Sequence, residues 1–158
     1  MSSLLHTVAR FDRRVVDAMS VMALPLLRIS LAITYLWFGA LKLVGASPVE
    51  DLVARTVPIV PRRYLVPLLG VWEMVIGVAL LLRVALRPTL LLLFLQLIGT
   101  FLTFAVRPRD MFQRGNPLLL TKDGEFVLKN LVLLSAGLAI GSTARRRHED
   151  VPSADRSA

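Results

Sequence analysis

Four stretches of this chain, residues 25–44, 64–82, 88–106 and 125–141, are almost uninterrupted Leu, Val, Ile, Ala and Phe. At about 1.5 Å per helical residue, some 20 residues cross a bilayer core of ~30 Å. A spanning segment has no water to satisfy its backbone, so each stretch is predicted to be an α-helix. The fold class that follows is all-α: an integral membrane four-helix bundle, one domain over residues 1–141. With 55% hydrophobic residues in only 158, no second core is affordable.

Against that background single charges stand out. Glu73 falls inside the second run, and a carboxylate at membrane depth costs several kcal/mol unless paired, neutralised or hydrated. Arg28 and Lys42 in the first run and Lys129 in the fourth raise the same question less sharply. Arg28, Tyr35 and Lys42 are spaced by seven, about two turns, and so share a face with Gly39. Gly70, Glu73 and Gly77 form a second stripe, Gln96, Thr100 and Thr103 a third, and Asn130, Gly137 and Gly141 a fourth with Lys129 adjacent. Polar stripes turn away from lipid, so the four are expected to meet along the bundle axis. Interhelical adhesion is the competing reading for the amides and hydroxyls, at ~0.6 to 2 kcal/mol each.

Side-chain direction selects a partner for Glu73. Helical side chains lean towards their own N-terminus, and the first two spans run antiparallel. Lys42 therefore leans inwards from the linker-side surface while Glu73, about 14 Å below Tyr64, leans outwards. A Lys42–Glu73 ion pair is expected, with Lys129 either sharing it or reaching for the headgroups. Arg28 is expected to extend to the opposite surface.

A net charge of +8 raises nucleic acid as a partner. The cations flank apolar runs without an aromatic-basic groove, which favours anionic headgroups and argues against nucleic acid. The chain has no cysteine, so it has no thiol relay, iron–sulfur cluster or zinc-thiolate site, and its histidines, His6 and His148, lie outside the four runs. No metal site and no resident cofactor is predicted; a quinone is the one redox group the seam would suit.

Residues 3–20 place Leu4, Val8, Phe11, Val15 and Met19 opposite His6, Arg10, Arg13 and Asp17, the pattern of an amphipathic helix lying in the interface. Arg10, Asp12, Arg13 and Arg14 exclude a signal peptide. The linker 45–63 carries three prolines around a segment, 49–57, long enough for one or two helical turns. Residues 83–87 form a tight turn, and residues 107–124 a loop rich in turn signals. The tail, 142–158, is expected to be disordered. Four spans put both termini on one side. Counts of Lys and Arg differ by only one, nine against eight, but clusters beside the spans favour cytoplasmic termini.

Three motifs in order carry a resemblance. Arg28-Ile-Ser-Leu-Ala-Ile with Trp37-Phe38-Gly39-Ala40-Leu41-Lys42, then Leu69-Gly70-Val71-Trp72-Glu73 with Ile76-Gly77, then Asn116-Pro117-Leu118 through Gly124-Glu125-Phe126-Val127-Leu128-Lys129-Asn130, resemble the YkgB-type membrane proteins, which include reactive chlorine resistance protein C. That family is similar in layout to the broader DoxX-like four-helix group, some of whose members are linked to quinone-dependent sulfur oxidation. The resemblance spans about residues 25–141. It implies a bacterial inner-membrane protein, non-enzymatic by itself, that supports tolerance of oxidants such as hypochlorous acid or of envelope stress. It marks Arg28, Lys42, Glu73 and Lys129 as motif residues, with Asn130 where many members carry aspartate. The competing expectations are a quinone-binding subunit of a membrane oxidoreductase, holding quinone through Glu73, Lys42, Tyr35 and Trp37, and an oligomeric proton-coupled exporter of small solutes. A homo-oligomer or a membrane partner fits each of them.

Overall fold

The computed structural model describes the backbone of residues 2–149 and the side chains of residues 14–142. It is all-helical apart from loops and one isolated antiparallel bridge, Phe112 to Leu120. The helices are α1 (Ser2–Leu43), α2 (Glu50–Thr56), α3 (Arg62–Leu82), α4 (Leu86–Val106), α5 (Pro108–Met111) and α6 (Lys122–Glu149). Among the described residues, four segments are long and apolar enough to cross a membrane: Arg14–Leu43, Arg62–Leu82, Leu86–Val106 and Lys122–Ser142.

Two helix ends correct the sequence reading. Residues 3–20 do not form a separate interfacial helix; α1 runs on from Ser2 through Pro25 to Leu43. Pro25 removes the N–H that would bond the Val21 carbonyl and crowds that carbonyl, but the surrounding Ala, Met and Leu have high helix propensity, with no glycine to end the turn. At the other end, α6 continues past Gly141 to Glu149, so residues 142–149 are helical. Residues 150–158 of the expected tail lie outside the described residues.

The bundle is built on two close pairs, α1 with α3 and α4 with α6. Glycine sets the first. A Cβ on Gly39 would lie 2.8 Å from the Gly70 carbonyl oxygen, and one on Gly77 3.0 Å from that of Ala32. The two backbones thus touch through missing side chains, which fixes the antiparallel register with Gly39 facing Gly70 and Gly77 facing Ala32 and Leu36. Leu31, Ala32, Tyr35, Ile76, Leu80, Leu93, Leu97 and Ile140 fill the core between the four helices.

The connections differ in kind. The α3–α4 turn is short and puts Arg83 (φ 58°) and Ala85 (φ 46°) in the left-handed region. The α1–α3 linker instead folds α2 back over the bundle end, where Leu52 is buried with Met111 and Val127. Thr121 caps α6 by accepting the Gly124 N–H at 3.1 Å.

Candidate functional site

Beneath α2 the polar stripes of three helices converge. Lys42 on α1 and Glu73 on α3 are 6% and 4% exposed, which makes them the buried ions of the bundle among the described residues. The Lys42 ammonium donates to both carboxylate oxygens, Oε2 at 2.6 Å and Oε1 at 2.9 Å. Gln96 on α4 donates its Nε2–H to Glu73 Oε1 at 2.8 Å, and its own Oε1 accepts the Tyr35 hydroxyl at 2.9 Å. The result is a four-residue chain, Lys42–Glu73–Gln96–Tyr35. It ties α1, α3 and α4 together and neutralises its single positive and single negative charge within itself. Burying such charges is tolerable only when the pair is well aligned and the remaining oxygens are hydrogen-bonded, as they are here.

The glycine contact between α1 and α3 makes this geometry reachable. Gly70 lies one turn from Glu73, and a Cβ there would meet Lys42 Cβ at 3.1 Å. With the backbones that close, two long side chains leaning towards each other meet without stretching.

The polar chain forms one side of a cavity of ≈ 250 Å³. Its other walls are Phe38, Trp72, Phe126 and the leucines around them, with Thr100, Thr103 and Asn130 as further polar points. Leu52, Val53 and Thr56 of α2 close the linker-side end. The lid is fastened from outside. Arg62 pairs with Glu50 at 2.8 Å and also with Asp51, and the Arg107 guanidinium donates to the Arg55 carbonyl at 2.7 and 3.0 Å. The Arg62 hydrogen bond holds the Glu50 carboxyl below the usual glutamate range.

The sequence candidates divide into two groups. Lys42, Glu73, Gln96 and Tyr35 form the chain, and Asn130 lines the cavity while donating to the Phe126 carbonyl of its own helix at 3.0 Å. Lys129, Trp37 and Arg28 stand apart. The Lys129 side chain is 77% exposed and lies 3.7 Å from Glu125 on its own helix, so it does not share the buried pair. One residue is a rotation of about 100° on a helix, so Asn130 facing inwards turns Lys129 outwards. Trp37, 66% exposed, sits on the outer face for the same reason, with its neighbour Phe38 turned to the cavity. Arg28 belongs to the other end of the bundle.

Sequence reasoning passed over Trp72, whose Nε1–H donates to the Leu92 carbonyl at 3.2 Å, and over α2 as a lid. Adjacency to Glu73 could have found Trp72. The lid depends on how the linker folds back, which no periodicity encodes.

Chemically, the site has hydrogen-bonding groups at one side of an apolar chamber. Lys42 gives two protons to the carboxylate, and its third has no acceptor among the described residues. No group of three His, Cys, Asp or Glu suited to a metal ion occurs among the described residues. No protein-family model matches the chain, and no curated protein or solved structure resembles it significantly.

Proposed function

We propose that the chain is an integral protein of the bacterial inner membrane, of the YkgB type within the DoxX-like group. In this reading it binds a small, largely apolar molecule bearing a hydrogen-bond acceptor in the cavity beside Lys42 and Glu73. Its role is that of a non-enzymatic component of tolerance to reactive chlorine, other oxidants or envelope stress, with both termini cytoplasmic. The observation that carries this reading is the cavity itself. A purely structural ion pair would be packed dry, whereas this one borders ≈ 250 Å³ of space walled by aromatic and aliphatic groups. The outward faces, with Leu68, Val71, Val75, Leu91, Leu95 and Val132 exposed, suit lipid.

A second reading, a quinone-binding subunit of a membrane oxidoreductase, is favoured by the flat aromatic walls, Phe38, Trp72 and Phe126, around a lysine donor. A quinone ring with its carbonyl on Lys42 would suit them, with electrons passed by a partner subunit.

The test is to extract the protein into native lipid discs and measure its intact mass, for the wild type and for Glu73→Gln. A non-lipid molecule bound one to one in the wild type and lost in the variant, together with lost hypochlorite tolerance in cells, is the expected result. A quinone mass selects the second reading. A protein carrying lipid alone, in cells whose tolerance survives Glu73→Gln, overturns both. Uptake or efflux driven by a pH gradient in vesicles would point instead to a proton-coupled exporter.

A further inference from the structure

The opposite end of α1 holds a cation without a home. The guanidinium nitrogens Nε and Nη1 of Arg28 are enclosed in the fold and hydrogen-bond to nothing among the described residues. They are the side-chain nitrogens or oxygens left in that state there. A buried charged donor with no acceptor is costly, so folded chains rarely leave one.

Its surroundings make matters worse for a lone protein. The α1–α3 register sets Gly39 against Gly70 and Gly77 against Ala32 and Leu36. Followed along both helices, it brings Arg28 level with the C-terminal end of α3, where the chain turns at Arg83. Arg83 is near enough there for its positive charge to be felt at Arg28. That turn holds Arg83 in the left-handed region at φ 58°, where glycine or asparagine is the low-strain choice. Two arginines, one with enclosed unused donors and one on a strained backbone, thus share the rim of the bundle, and no acid among the described residues pairs with either.

We propose that Arg28 and Arg83 form a binding site for a phosphate oxyanion. The planar guanidinium of Arg28 presents Nη1–H and Nη2–H side by side at its tip, an arrangement that grips two oxygens of one phosphate. An anion there supplies the acceptor that Nη1 lacks and screens the two like charges from each other. The end of α3 is also where an apolar helix of 21 residues leaves the hydrocarbon, so the phosphate of a phospholipid headgroup and a free phosphate are both within reach of it. The lipid source rests on the membrane reading above; the oxyanion site does not.

The experiment uses the full chain, delipidated in neutral detergent, as wild type, Arg28→Met and Arg83→Gly. Phosphatidylglycerol retention is measured by native mass spectrometry, and the melting temperature is followed against inorganic phosphate. Wild type is expected to retain one phosphatidylglycerol, with affinity weakened roughly tenfold or more in each variant. Arg83→Gly is the decisive variant, because relieving a left-handed arginine should leave the ligand-free melting temperature equal or higher while binding is lost. A rise in melting temperature with phosphate in wild type alone, without lipid retention, supports the site with free anion as its occupant. Equal retention by all three proteins, or no response to either probe, overturns it. Carbonate extraction of membranes tests the membrane reading separately: a protein that stays integral yet fails both probes loses only this site.

Discussion

Two cations on one helix, Lys42 and Arg28, meet opposite fates. Lys42 is 6% exposed yet satisfied, its ammonium divided between the two oxygens of Glu73. Arg28 is less buried overall, but its Nε and Nη1 are enclosed without a partner among the described residues. Depth does not separate them. The neighbouring helix does, because α3 presents a carboxylate at the level of Lys42, while the turn that follows α3 brings another arginine to the level of Arg28. The lesson is that a charge in an apolar bundle is read from its partner. Where the fold supplies the counter-charge, the pair is structure and site wall together. Where it does not, something outside the chain must.

Breaking the satisfied end should cost most. Lys42→Met leaves the Glu73 carboxylate buried with only Gln96 as donor, and a loss of ~3 to 5 kcal/mol is expected, read as a lowered melting temperature in detergent. The companion double variant, Lys42→Met with Glu73→Leu, should recover most of that stability, since removing both charges is far cheaper than stranding one. A double variant no more stable than the single would mean that the pair is not an isolated unit. Next is the close approach beneath it. Gly70→Val would place a side chain against the Gly39 carbonyl, 3.0 Å from its first carbon, with ~1 to 3 kcal/mol lost. Unchanged stability would refute the tight α1–α3 register. A smaller effect, ~1 to 2 kcal/mol, is expected for Gln96→Leu, which removes one donor from Glu73 and the acceptor of Tyr35. Its melting temperature should fall between those of wild type and Lys42→Met.

The same contrast explains what was legible beforehand. Four apolar runs announce four helices because length and hydropathy are properties of a segment by itself. The meeting of Lys42 and Glu73 was readable because both lie on glycine-bearing stripes and lean towards one another, and helix geometry is the same in every protein. Trp37, named as a quinone contact, and Lys129, named as a neighbour of the Asn130 stripe that either shares the ion pair or reaches outwards, both face out, while Phe38 and Asn130 beside them line the cavity. A motif read as a string has no rotation in it, while a helix turns about 100° per residue. The continuity of α1 through Pro25 was missed because an amphipathic pattern was allowed to imply a bend that only packing can enforce. The α2 lid and the orphaned guanidinium of Arg28 are tertiary facts, fixed by how a linker folds back and by which helix end lies opposite.

The faintest contrast lies between the buried pair and the exposed one on the lid. Arg62 holds Glu50 and Asp51 from a side chain that is 52% exposed, so it is hydrated and screened by salt where Lys42 is not. Its consequence should appear in pH rather than in global stability. The Glu50 carboxyl is held below its ordinary value by the Arg62 hydrogen bond. A group whose folded value is depressed contributes while it is ionised, above the unfolded value, and that contribution is lost as pH falls through the folded one. The lid should therefore loosen only in acid, below the ordinary glutamate range, and Arg62→Ala should loosen it at neutral pH. Hydrogen exchange of the amides in Glu50–Thr56 measures this directly. Faster exchange in Arg62→Ala at pH 7, with little difference from wild type once both are in acid, is the expected pattern. Equal exchange at both pH values would leave the lid held by Leu52 and Arg107 alone, and the outer ion pair would be ornament on a hinge that packing already closes.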